Sequence, residues 1–373
     1  MRIVLISSVF FPRNSPRALR TTELAKYFAS EGHDVTVYSC TGKYDYSEFH
    51  DKFNVTVKNI PDRKFSKLES DGSGKITFVD KILTRMFSRA FEWPSIELMF
   101  RMKRILVSET EVDMLISVAI PYPIHWGIAM AKKSLGINFP RVWISDCGDP
   151  YMGNSVGKKH PFYFKYLEKF WCKNTNYITV PIEKAKSAYY SEFRNKIIVI
   201  PQGFNMLGVD LDVYKKNEVP TFAFAGATYP GYRDPSEFLE YLTTLNTDFR
   251  FIVFTPANSI FHKYESLLKG KLIIRSYIPR PELLKFLSKM DFLININNGG
   301  DIQSPSKLID YAISQRPILS ISSVFTQKEK FSNFLQENYT QQDIIDLAKY
   351  DIRTVGNQFL KLSNGRNDEN SNL

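Results

Sequence analysis

The chain has 373 residues, 43% of them hydrophobic and 14% aromatic, and a formal net charge of +10. That is enough apolar material to bury the cores of two ordinary domains, and it excludes a disordered chain. The positive balance points to an anionic partner, whether nucleic acid, a membrane surface or a phosphorylated substrate, while the wide spacing of Cys40, Cys147 and Cys172 excludes a disulfide framework and a CxxC motif.

Short apolar runs alternate with amphipathic segments, the pattern of an α/β protein with parallel sheets. Arg2–Ser7 reads as a buried strand, Arg17–Ser30 as a helix ended by Gly32, and Val35–Tyr38 as the next strand. Met1–Phe11 is read as too short for a cleavable leader, so a cytoplasmic location is expected. Lys81–Val107 reads as helix broken at Trp93-Pro94, with Lys81, Arg85, Arg89, Arg101, Lys103 and Arg104 among its apolar residues. Two readings stay open for it: a helix lying on an anionic membrane surface, or an ordinary solvent-exposed helix. Lys158–Lys196 is likewise basic and aromatic. Met114–Ala131 is uncharged but contains Pro121, Pro123 and His125, and reads as strand, loop and helix start rather than as a membrane span.

Further strands are expected at Met114–Val118, Arg141–Ser145, Tyr177–Val180 and Ile197–Ile200. The pattern lapses into a charged connection at 206–220, then resumes with strands at Thr221–Ala225, Arg250–Phe254, Lys271–Arg275, Asp291–Ile296 and Pro317–Ile321, a helix from Pro235 and another from near Ser304. The expected architecture is therefore α/β, with two doubly wound Rossmann-like domains facing a cleft. The boundaries are a first domain at 1–205, a linker at 206–220, a second domain at 221–345, a helix at 346–363 packing back on the first domain, and a disordered tail at 364–373. Ligands in such folds bind at the carboxyl ends of the strands.

The strongest local signal lies between Asn295 and Tyr311. A strand ends near Ile296, Gly299 and Gly300 form a loop, Ser304 caps a helix and Pro305 occupies its first position. The amides of such a helix start, with the Ser304 and Ser306 hydroxyls, suit a phosphate. Lys307 in the first turn opposes the helix dipole, which suggests an anion beside it. Asp310 falls on the same face and suits a pair of ribose hydroxyls. The alternative is a capped helix with a Lys–Asp pair.

In the first half, Trp143–Tyr151 delivers Asp146 and Asp149 to a strand's carboxyl end, where either could orient or deprotonate an acceptor hydroxyl or simply cap a turn. Asp149 is preferred. Arg13, Arg17 and Arg20 flank the first loop and suit an anionic ligand, unless they are solvated. His125 is an acceptor-side candidate, although a lone histidine is more often structural.

Ser304–Leu319 resembles the donor-binding helix and following strand of glycosyltransferase family four. Met1–Ser8 with Arg20–Lys26 and Glu31–Val37, Ile198–Asn205 with its Pro-x-Gly hinge, and Phe224–Thr228 before Arg233-Asp-Pro235 look similar to that family and fall in its order. The resemblance implies the GT-B fold and transfer of a sugar from a nucleotide-diphosphate sugar to a lipid-linked or polysaccharide acceptor of a cell-surface glycan (lipopolysaccharide, capsule or exopolysaccharide). Retention of configuration and independence of metal and cofactor are implied with it. Arg233 and Lys307 would bind the donor diphosphate and Asp310 the ribose. The chain departs from the family where a glutamate usually holds the donor sugar, since that position is Ile302; Asp301 or Gln303 is the expected substitute.

Other readings are a nucleotide-sugar epimerase or hydrolase of the same fold, a non-catalytic protein that keeps the fold, and, on charge alone, a nucleic-acid binder. No nucleic-acid motif supports the last. Gly72-Ser-Gly-Lys75 fails as a phosphate loop because Glu69 and Ile76 stand where glycine and Ser/Thr are needed, and no GxGxxG follows the first strand. Asp210-Leu-Asp212 lies in the linker and is read as chance.

Overall fold

The central strands of this chain, Arg2–Ser7, Met114–Ala119, Thr221–Ala225 and Phe292–Ile296, are buried on both faces, which is what a parallel sheet covered by helices on both sides demands. The computed structural model describes residues 1–13, 15–60, 86–153, 160–206, 208–228, 233–256, 259–297 and 306–364. They form two compact units, one of Met1–Asn205 together with Asp351–Leu373, the other of Met206–Tyr350.

The first unit holds a seven-stranded sheet, β1 (Arg2–Ser7), β2 (Asp34–Ser39), β3 (Val55–Asn59), β4 (Met114–Ala119), β5 (Val142–Cys147), β6 (Tyr177–Val180) and β7 (Ile197–Val199), in the order β3-β2-β1-β4-β5-β6-β7. All of these pairings are parallel. Along β1, Ile3 and Leu5 face one core while Val4 and Ile6 face the other. The first core is closed by α1 (Pro16–Ser30) and α2 (Ser47–Phe53), the second by α3 (Glu97–Val107), α4 (Pro123–Leu135) and α5 (Phe164–Asn174). Helix α1 starts where Ser15 Oγ accepts from the Ala18 amide at 3.3 Å, with Pro16 opening the helix. Residues 86–91 are helical and α3 begins at Glu97, on either side of Trp93-Pro94; positions 81–85 lie outside the described residues.

The second unit repeats the plan with β8 (Thr221–Ala225), β9 (Arg250–Phe254), β10 (Leu272–Arg275), β11 (Phe292–Ile296) and β12 (Ile318–Ile321), ordered β10-β9-β8-β11-β12 and parallel throughout. Around them are α6 (Ser236–Thr243), α7 (Ser259–Glu265), α8 (Arg280–Leu287), α9 (Ser306–Ile313) and α10 (Lys328–Leu335). In both sheets the order reverses beside the first strand, between β1 and β4 and between β8 and β11. Crevices for ligands open at the carboxyl ends of strands at such points.

The stretch 208–220 forms no helix or strand, yet it is fastened to the second unit. Asp291 at the foot of β11 accepts from Tyr214 OH at 2.6 Å, from Asn217 Nδ2 at 3.1 Å and from the Thr221 amide at 2.6 Å. Asp210 and Asp212 pair with Lys285 and Lys289. The final helix, α11 (Ile352–Asn364), puts Val355 and Phe359 into the core beneath α1. A Cβ on Gly356 would overlap the Tyr27 ring, so glycine is required there. Residues 365–373, read from the sequence as a tail, lie outside the described residues.

Candidate functional site

In the second unit the site grows from the end of β8. Tyr311 OH accepts from the Ala225 amide at 2.8 Å, fixing α9 against that strand. One turn back, Lys307 runs inward over the Phe224 ring, its Nζ 5.5 Å from the centroid. Gly226 makes this possible, since a Cβ there would occupy the place of the ammonium group. Lys307 Nζ is buried and has no hydrogen-bond partner among the described residues. Burial, reinforced by the Arg233 charge, pushes its pKa down to about 7, with Asp310 opposing.

Arg233 follows β8 and donates from Nη1 to Ala227 O at 3.3 Å. Its neighbour Asp234 accepts from the Ser236 amide and hydroxyl at 3.0 and 2.6 Å, turning the chain into α6. Asp310 receives Arg280 Nε and Nη2 on one oxygen, at 2.8 and 2.7 Å. Burial raises the Asp310 pKa, and the Arg280 guanidinium beside it acts in the opposite direction. Arg280 and Lys307 thus flank one carboxylate, and Arg233 acts on Lys307, at the switch point of the sheet. A buried ammonium without an acceptor is costly, and an anion in front of it removes the cost.

Arg280 was not singled out from the sequence. Its signal is the one that marked Lys307, a cation opening a helix where the dipole disfavours it. Ser306 opens α9, but its side chain lies outside the described residues, as do Asp301, Gln303 and Ser304 in full.

In the first unit the ends of β1, β4 and β5 converge. Arg17, on the first turn of α1, donates from Nε to Ala119 O at 2.9 Å and from Nη2 to Asp149 Oδ2 at 2.5 Å. Both side chains are 29% exposed, so the pair is open to solvent. Tyr122 OH donates to the Asp149 carbonyl, and Ser8 Oγ donates to Ile120 O at 3.3 Å. Glu168 of α5 accepts from the Met152 amide at 3.3 Å and anchors the segment after Asp149. Burial pushes its pKa up to about 7. The sequence reading missed Glu168, although an acid on the same helical face as Phe164, Trp171 and Cys172 is itself a signal. Arg13 lies in the exposed loop before α1.

Two expectations are corrected. Asp146 was a catalytic candidate, but it is only 2% exposed and its oxygens are taken by Arg20 Nε at 2.6 Å, Arg20 Nη2 at 2.8 Å and Thr179 Oγ1 at 2.6 Å. Arg20 also donates to Pro201 O at 2.6 Å and lies over the Phe359 ring. Asp146 and Arg20 are a buried structural ion pair. His125 was an acceptor-side candidate, but it is fully buried, with Nδ1 2.8 Å from Ser117 Oγ and Nε2 3.5 Å from Cys147 Sγ. Burial lowers its pKa to about 3, so it is a neutral core histidine.

No protein-family model matches the chain, and no curated protein matches it in sequence. Solved structures do match over the whole length. A glycosyltransferase from Rickettsia africae is 14% identical, with 99% of this chain and 97% of that one covered at a TM-score of 0.59. Anabaena HepE in complex with UDP-glucose is 8% identical, with 98% and 100% covered at 0.59. The lipopolysaccharide outer core galactosyltransferase WaaB is 10% identical, with 98% and 100% covered at 0.60. The chain has the two-domain GT-B fold of these glycosyltransferases.

Proposed function

We propose that the protein is a glycosyltransferase that takes a sugar from a nucleotide-diphosphate sugar bound on its second domain. The observation that carries this reading is Lys307: a buried ammonium with no acceptor among the described residues, beside Arg233, at the switch point of the sheet. A diphosphate supplies the missing negative charge. Asp310, held by Arg280, offers its second oxygen to ribose hydroxyls. Anabaena HepE, solved in complex with UDP-glucose, supports a ligand of this class.

In the reaction the bond from the anomeric carbon to the diphosphate oxygen breaks, and its electron pair leaves on that oxygen. Lys307 and Arg233 stabilise the charge that develops there, so the protein's own cations meet the need that a metal would otherwise fill. The acceptor hydroxyl forms the new bond to the anomeric carbon and gives up its proton to the departing diphosphate oxygen. Asp149 on the first domain, half-buried and paired with Arg17, orients that hydroxyl. The proposed acceptor is lipid-linked or a polysaccharide, in the making of a cell-surface glycan on the cytoplasmic side, with configuration retained.

The test is calorimetric titration of wild type and Lys307→Met with nucleoside diphosphates and their sugars. One diphosphate should bind the wild type and lose about 10- to 100-fold in affinity in the variant, the worth of a charged hydrogen bond. Absence of binding to every nucleotide by the folded wild type would overturn the reading.

A further inference from the structure

We propose that the face formed by 86–91, α3 and α5 docks the protein peripherally on an anionic lipid bilayer. Most of the exposed large aromatic rings among the described residues lie on these elements and the turn before α5. On α3, Phe100, Lys103, Arg104 and Val107 recur at helical spacing on the outer side, with Phe100 68% exposed, while Leu98, Met102, Ile105 and Leu106 are buried. On α5 and the turn before it, Phe162 is 73% and Tyr166 61% exposed, with Lys165, Lys169 and Lys173 among them. The one acid of α5, Glu168, is turned into the core. Met86, Phe87, Arg89 and Phe91 are exposed along 86–91, and Tyr163 OH donates to Ala90 O at 2.5 Å, joining that segment to the start of α5.

The chemistry of the occupant follows from the mixture. The rings lie in small groups, Phe87 with Phe91 at 6.1 Å and Phe162 with Tyr163 at 5.8 Å between centroids, interleaved with cations rather than as one flat apolar patch, which suits insertion among lipid headgroups better than a dry protein interface. Cations next to the rings complement anionic headgroups, Lys169 apart, which pairs with Glu192 at 3.1 Å. No helix among the described residues is long and apolar enough to cross a membrane, so contact by this face would be peripheral. The face also borders the candidate acceptor segment. The His160 ring, just before α5, lies 3.9 Å from the Tyr151 ring, two residues after Asp149. Docking itself does not depend on the reaction; its consequence, that a lipid-borne acceptor reaches Asp149 from the same surface, rests on the function proposed above.

The test is sedimentation of the full chain with vesicles of phosphatidylcholine alone or mixed with phosphatidylglycerol. Binding should require the anionic lipid and weaken with salt. Lys103→Ser with Arg104→Ser should lower the partition coefficient about fivefold per residue. Phe100→Ser with Phe162→Ser and Tyr166→Ser should abolish binding with the net charge unchanged. Lys215→Ser with Lys263→Ser, two exposed lysines of the second domain, should bind like wild type. Equal binding to neutral vesicles, no binding to either, or equal loss in both charge variants would overturn the proposal. So would light scattering that shows a dimer dissolved by the aromatic substitutions. The nucleotide response of each variant reports the second domain separately, so failure of docking and failure of the donor site are told apart.

Discussion

Lys307 and Glu168 are ionisable groups held out of water, and each ties stability to pH in its own window. The Lys307 pKa falls from an ordinary 10.5 to about 7. Between those values the unfolded chain binds the proton and the folded one does not, so stability rises with pH there, by at most about 1.4 kcal/mol per unit. Lys307→Met should flatten that rise in pH-dependent denaturant titrations. A bound diphosphate restores the ammonium, so nucleotide affinity should weaken as pH climbs above 7 in wild type and not in the variant. Glu168 runs the other way. Its pKa rises from 4.5 to about 7, the folded state holds the extra proton, and stability falls as pH rises through that interval. Glu168→Gln should remove the fall. The two aspartates of β5 and its loop separate in the same manner. Asp146→Ala strands Arg20 in the core and should cost about 3–5 kcal/mol of stability. Asp149→Ala breaks a half-buried pair that solvent still reaches, and should lower the thermal midpoint far less than Asp146→Ala while lowering kcat about 100-fold or more.

Among the elements, α11 is the one whose place decides most. The chain leaves the first unit at Asn205 and returns to it at Asp351, so the second unit is inserted within the first. Val355 and Phe359 complete the core under α1, and Tyr27 OH donates to Asn357 Oδ1 at 3.0 Å. Gly356→Leu pushes a side chain into the Tyr27 ring and should destabilise the first unit by about 1–3 kcal/mol. Nucleotide binding by the second unit should survive, and calorimetric titration of the variant checks it. Helix α9 has a comparable role in the second unit, where Tyr311 ties it to β8 and Lys307 reaches the end of that strand.

Over the whole molecule, two sheets with separate cores should not melt as one cooperative unit. Scanning calorimetry should resolve the two units, and the diphosphate should move only the transition of 206–350, by about 2.7 kcal/mol at a hundredfold excess over Kd. The strands of that unit were legible because a parallel sheet buried on both faces writes each strand as an unbroken apolar run. Thr221–Ala225 and Arg250–Phe254 stand where the sequence places them. Lys307 was legible too, because a cation in the first turn of a helix is out of place without an anion.

What the sequence by itself determined is the periodicity, the two-domain plan and the residue types at the strand ends, since all of these are local. It preferred Asp149 to Asp146 but did not reveal that the first is half-exposed and the second buried, because both stand at the end of one strand within four positions. Only the tertiary structure sets Arg20 and Thr179 around Asp146 and Arg17 beside Asp149. His125 was ambiguous for the same reason, since it lies on a helix and its neighbours Ser117 and Cys147 arrive on β4 and β5. Arg280 meets Asp310 from thirty residues away. Burial and ion pairing are properties of residues far apart in the chain that share one place, and no local pattern records them.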